Sequence, residues 1–201
     1  MKLPSVEECT ALFKQYHVPK NIVEHCRKVS ELAVSIAERL KKRGVVIDIG
    51  LVRIGALMHD WMKAATLEKL GGAPFNYNPT PEEINAWREL RAEFKGMHES
   101  EIAHTLLKDK YPELAEFIIH ERIIAHDLSL KRSWEEKVVH YSDWRVLGDS
   151  VIPLNERMED FFVRYRKKIT DLNRWEKVKQ AERKAEKELC DALGVKGELT
   201  I

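Results

Sequence analysis

Apolar residues recur along this chain at helical spacing in nearly every segment, and local start signals mark where each helix begins. Ser5 with Glu8 has the form of a capping box and opens a first helix to about Tyr16. After Pro19, the positions Ile22, Cys26, Val29, Ala33, Ile36 and Leu40 repeat at three- and four-residue intervals until Gly44. Asp48 caps an apolar run that ends in His59-Asp60. Thr80-Pro81-Glu82-Glu83 starts a helix that runs to about Phe94 and stops at Gly96. Further helices are predicted from about His98 to Lys108, from Pro112 to Ile124, and from Ser133, boxed with Glu136, to Leu147. Pro153 opens a charged helix to about Lys168, and a last one covers Asn173 to Leu193. Gly44 to Asp48 is the one strand-like stretch, and Gly71 to Pro79 reads as a loop. The fold class is therefore all-α.

Polar side chains fall on these apolar faces at a few positions. His25 lies between Ile22 and Val29, His59-Asp60 closes the stripe of Val52 and Ala56, His98 stands one turn before Ile102, and Asp143 falls between Val139 and Val146. Burying a polar group without a partner costs about 2–7 kcal/mol. Several such groups facing inward in one domain point to a shared metal ion. Imidazole with carboxylate suits Fe, Mn, Zn, Co or Ni.

Composition narrows the class. Of 201 residues, 44% are hydrophobic, enough for a core. The 34 basic and 33 acidic residues nearly balance, so no global positive field points to nucleic acid. Cys9, Cys26 and Cys190 share no close spacing, which argues against a disulfide scaffold and a zinc ribbon. No signal-type segment opens the chain, and no apolar run is long enough to span a bilayer. A cytoplasmic protein is the expectation. After Pro153, basic residues interleave with acids, which reads as a solvated amphipathic face; a surface for a polyanionic substrate or a partner is the sharper reading.

His25, His59-Asp60 and Asp143, in this order and on separate helices, resemble the signature of the HD-domain superfamily of metal-dependent phosphohydrolases. The resemblance covers roughly Asn21 to Gly148 and implies a helical bundle. His98 in Met97-His-Glu-Ser-Glu, His126 ahead of Asp143, and the His59-Asp60-Trp-Met-Lys63 form are similar to the dinuclear bacterial family of symmetrical diadenosine tetraphosphate hydrolases. That likeness implies two divalent transition metal ions per chain. One would take His25, His59, Asp60 and Asp143, and the other Asp60, His98 and His126, with Asp60 bridging. Asp60 and Lys63 become the catalytic candidates, and Lys63, Arg27 and Arg145 the candidate substrate contacts. The segment from Ala64 to Lys95 is an insert relative to that family and a candidate lid, in which Phe75, Tyr77 and Trp87 either stack on a base or pack the helix. The residues after Asp143 depart from the family pattern, which leaves the substrate open.

The expected layout is a phosphohydrolase domain over 1–150 with a helical extension over 151–201. The expected activity is hydrolysis of a phosphate ester or anhydride of a nucleotide or dinucleotide by a metal-activated water, with a small phosphorylated substrate as partner. The alternative is a nucleotide- or metal-binding regulatory module without turnover. His140, one turn before Asp143, is a candidate donor to it, and His120 is the competitor of His126 for the second ion; both read more readily as structural than as ligands.

Overall fold

The computed structural model describes residues 2–67, 77–197 and 199, and only the backbone of 125 and 126. Among the described residues the chain forms nine helices and one two-stranded hairpin. These are α1 (Val6–Gln15), α2 (Lys20–Lys42), α3 (Ile49–Met58), α4 (Pro81–Glu93), α5 (Glu99–Leu107), α6 (Pro112–His126), α7 (Trp134–Asp143), α8 (Leu154–Tyr165) and α9 (Leu172–Leu193). A short 3-10 turn, Lys63–Ala65, follows α3.

The helix starts follow from side chains acting on the adjacent backbone. Ser5, Thr80 and Ser133 each accept from the amide three residues on, and Glu8, Glu83 and Glu136 return a carboxylate to the cap amide. Asp48 caps α3 by accepting from Leu51 N–H at 3.0 Å. Gly194, at φ 67°, ends α9 in the left-handed conformation that costs glycine little.

α2 is the central helix and packs against α3, α7 and α9. Its stripe of Val29, Ala33, Ile36, Ala37 and Leu40 is fully buried. At the crossing of α3 and α6, Gly55 lets the Phe117 ring lie directly against the α3 backbone. α5 packs against α6, and α9 covers α7. No helix among the described residues is long and apolar enough to cross a membrane.

Two expectations about local structure are corrected. The helix expected to reach Leu147 ends at Asp143, where the Trp144 amide turns back onto the carbonyls of His140 and Ser142. Val146–Leu147 then pairs with Ser150–Val151 as an antiparallel hairpin, turning through Gly148 at φ 63° and Asp149. The strand-like stretch 44–48 forms no strand among the described residues and is linker between α2 and α3.

Most of the loop 71–79, with Phe75, lies outside the described residues. The other insert aromatics are used in packing. Trp87 is fully buried on Ala64 and donates its indole N–H to the His17 carbonyl at 2.6 Å. The Tyr77 hydroxyl accepts from the Lys20 amide at 3.3 Å and donates to Glu83 at 3.1 Å.

Candidate metal centre

His25 of α2, His59 at the end of α3 and Asp143 at the end of α7 converge. One ligand-type atom from each lies within 4.8 Å of the others. His25 Nε2 is 3.0 Å and His59 Nε2 3.6 Å from Asp143 Oδ1, and Asp60 Oδ2 stands 3.9 Å from His59 Nε2. The two rings lie 5.5 Å apart.

Both imidazoles are oriented by their other nitrogen. His59 Nδ1 is 2.7 Å from the Ala56 carbonyl, and His25 Nδ1 is 3.2 Å from the Gly148 carbonyl. A carbonyl only accepts, so each Nδ1 carries the proton and each Nε2 presents a lone pair toward Asp143. His59 Nε2 is buried and has no hydrogen-bond partner among the described residues. Lone pairs from two imidazoles and a carboxylate facing one point repel unless a cation lies among them, so the donor set fits a divalent metal ion. Burial disfavours a charged His59, but Cys26, Asp60 and Asp143 raise its pKa well above the ordinary value. Burial likewise works against ionised Asp143, but the adjoining His25 and His59 imidazoles hold its pKa well below the usual carboxylate range.

Lys63 stands one turn beyond Asp60. Its Nζ lies 3.5 Å from Asp60 Oδ1 and 2.6 Å from Glu99 Oε1, and Thr66 Oγ1 donates to Glu99 Oε2 at 2.8 Å. Burial opposes all three charges. Asp60 and Glu99 nonetheless raise the pKa of Lys63, Lys63 and His59 lower that of Asp60, and Lys63 lowers that of Glu99. Glu99 also gains from its place in the first turn of α5.

His98 caps α5 and is built the opposite way from His25 and His59. Its Nδ1 accepts from the Ser100 amide at 3.3 Å, with Ser100 Oγ at 2.8 Å. Nε2 therefore bears the proton and faces Glu99 Oε2 at 3.4 Å. Burial, with Arg122 and Lys63, lowers its pKa against the pull of Glu99 and Glu101, so the ring is neutral near pH 7. His126 ends α6, and its side chain lies outside the described residues.

Two cavities meet at this cluster and share Asp60, Lys63 and Asp143. One, of about 280 Å³, also has His59, His98, Glu99, Glu121 and Arg122 in its wall. The other, of about 450 Å³, has His25 on one side and α8 residues on the other. The wall residues Glu99, Glu121 and Arg122, and the α8 side chains, were not singled out from the sequence as site residues. α8 read as part of a solvated amphipathic face, with a surface for a polyanionic substrate or a partner as the sharper reading.

Other candidates are placed elsewhere. Arg145 is buried and turned toward α9: its Nε donates to the Ile152 carbonyl at 2.6 Å and Nη1 to the Leu199 carbonyl at 3.1 Å, with the Tyr141 hydroxyl and Glu186 beside it. It lines neither cavity. Arg27 is exposed on α2 and lines neither cavity. His140 does not donate to Asp143. It is held between Glu121 at 2.9 Å and Glu182 at 2.8 Å. His120 pairs with Glu136 through Nδ1.

A protein of Methanocaldococcus jannaschii, described as uncharacterized protein MJ0778, is 45% identical over 47 residues, which is 23% of this chain and 28% of that protein. The chain thus matches less than a third of the length of this relative. No solved structure matches the chain. A family model described as HD domain matches residues 22–186, a span that holds His25, His59-Asp60 and Asp143 and runs past position 150 into α9. With most of its length so matched and its helical bundle formed around these residues, the chain belongs to the HD domain family.

Proposed function

We propose that this chain is a metal-dependent phosphohydrolase that cleaves a phosphate ester or anhydride of a nucleotide, with one divalent ion held by His25, His59, Asp60 and Asp143. Metal-dependent phosphohydrolysis is the general activity of the family. The observation that carries the reading is the pair of imidazoles whose Nδ1 protons go to backbone carbonyls and whose Nε2 lone pairs converge on Asp143.

A bound divalent ion would supply a Lewis acid for a phosphoryl oxygen and would bring the pKa of water toward neutrality. The chain's own groups do the rest. Lys63 Nζ stands beside Asp60 on the shared wall of both cavities, where it meets phosphoryl oxygens as their charge grows. Glu99 and Thr66 act as positioning residues that hold Lys63 in place. Arg122, in the smaller cavity, offers a further cation to the phosphate or leaving group.

The two-ion arrangement needs His98 Nε2 as a ligand. In this structure His98 offers Nε2–H to Glu99, and the Lys63 ammonium already supplies a positive charge between Asp60 and Glu99. These facts favour one ion. Elemental analysis of untagged, chelator-free protein, followed by a nucleotide hydrolysis screen, tests the reading. About one equivalent of metal with turnover is expected. No metal after reconstitution would overturn the proposal, and two equivalents would overturn the one-ion arrangement.

A further inference from the structure

We infer that α8 forms a nucleotide-recognition wall facing the metal cluster, in which Phe161 and Tyr165 receive the base and Arg157 and Arg164 a phosphate group. This inference rests on the phosphohydrolase reading and names what selects the substrate.

Arg157, Phe161, Arg164 and Tyr165 are spaced by four, three and one residues, which puts them on one face of α8. That face lines the cavity of about 450 Å³ whose other walls hold His25, Asp60, Lys63 and Asp143. The volume falls within the range of small-molecule sites. The Phe161 and Tyr165 rings pack at 4.6 Å between centroids, and Arg164 lies 5.7 Å over the Tyr165 ring. Phe161 is backed in turn by Trp144 at 5.2 Å and Trp175 at 5.6 Å, so the aromatic surface is rigid. A planar base gains from such a surface, whereas a sugar phosphate without a base does not.

The charges sort along the same wall. Arg157 and Arg164 both pair with Asp160, at 3.2 and 2.5 Å, so one carboxylate is shared by two guanidiniums and the group keeps a net positive charge. Arg164 Nε and Nη2 already meet Asp160 and Arg157 Nε donates to the Val146 carbonyl at 3.0 Å, so a phosphate group meets the net positive charge of the pair rather than a bidentate fork. Glu24 and Asp149 also line the cavity and would repel an anion beside them. A phosphate chain therefore has favourable contacts at Lys63 and at the α8 arginines, with the aromatic pair beside the latter.

The test is isothermal titration of the metal-loaded protein with AMP, ADP and ribose 5-phosphate. AMP should bind at least about 10-fold more tightly than ribose 5-phosphate, the scale that base stacking on an aromatic ring supplies. Tyr165→Ala should remove that margin while leaving ribose 5-phosphate affinity within about 2-fold, and Arg164→Gln should weaken ADP more than AMP. Phe161→Leu, which keeps apolar bulk against Trp144 and Trp175, should reduce the AMP margin in the same direction. Equal affinity for AMP and ribose 5-phosphate, or an unchanged AMP margin in Tyr165→Ala, overturns the inference alone. Failure of all three ligands to bind overturns it together with the phosphohydrolase reading.

Discussion

Replacing His140 with glutamine tests the buried charge network that fastens the candidate site to the C-terminal helix. His140 of α7 is held by Glu121 of α6 through Nδ1 at 2.9 Å and by Glu182 of α9 through Nε2 at 2.8 Å. Arg132 braces Glu121 from the other side at 3.1 Å. Burial alone would discharge the ring, but Glu182 and Glu121 push its pKa up to about 10. Burial would also discharge Glu121, but His140 and Arg132 bring it down to about 2. From the ordinary 6.5, the rise of His140 corresponds to about 5 kcal/mol at ~1.36 kcal/mol per pH unit, and the fall of Glu121 from 4.5 to about 3 kcal/mol. Both figures contain the same His140–Glu121 attraction, so they do not add. Breaking a buried pair by removing one member costs about 3–5 kcal/mol, which sets the expected loss for His140→Gln.

The pH dependence gives the prediction a second edge. The folded pKa of His140 is raised, so its stabilisation is complete below the unfolded value of 6.5 and is lost as pH rises through about 10. The folded pKa of Glu121 is depressed, so its share is present above 4.5 and is lost as pH falls through about 2. The gap between wild type and His140→Gln should be widest at about pH 5 to 6 and shrink toward about pH 10. Urea unfolding followed by far-UV circular dichroism at about pH 6, 8 and 10 measures it. A gap under about 1 kcal/mol at the lowest of these, or one that stays constant across them, would refute the reasoning.

Three further outcomes are expected. Asp60→Ala should lose bound metal and turnover together while the helical signal stays largely intact; retained turnover would sink the mechanism. Lys63→Gln removes the ammonium 2.6 Å from Glu99 and 3.5 Å from Asp60, and should lower kcat by about 100-fold with metal still bound; an unchanged kcat would take Lys63 out of the chemistry. Gly55→Ala would place a Cβ 2.4 Å from Phe117 Cε1 and should destabilise the protein by about 1–3 kcal/mol, a drop in Tm of several degrees. Adding Phe117→Leu should recover part of that loss, and a melting curve identical to wild type would show that the crossing of α3 and α6 has slack.

What could be read from the sequence is what acts over short distances along the chain. Ser5, Thr80 and Ser133 each reach an amide three residues away, so their helix starts are written in four-residue windows. The stripe from Ile22 to Leu40 repeats at the helical period because one face of α2 is buried, and burial leaves that mark whatever the partner is. His25, His59-Asp60 and Asp143 could be picked out because polar groups interrupt apolar faces there.

What the tertiary structure decided depends on residues far apart in sequence and on side-chain direction. Lys63 meets Glu99 across 36 positions and His140 meets Glu182 across 42, and no periodicity encodes either pair. The end of α7 at Asp143 was hidden because Trp144 to Leu147 continues an apolar pattern; the hairpin that replaces a last helical turn brings the Gly148 carbonyl to His25. Arg145 and Arg157 look alike in sequence, yet one is enclosed against α9 and the other lines the cavity beside the cluster. The same holds for His98 against His59. Both sit at a helix end beside an acid, and only the partner of Nδ1, Ser100 in one and the Ala56 carbonyl in the other, decides whether Nε2 donates a proton or offers a lone pair.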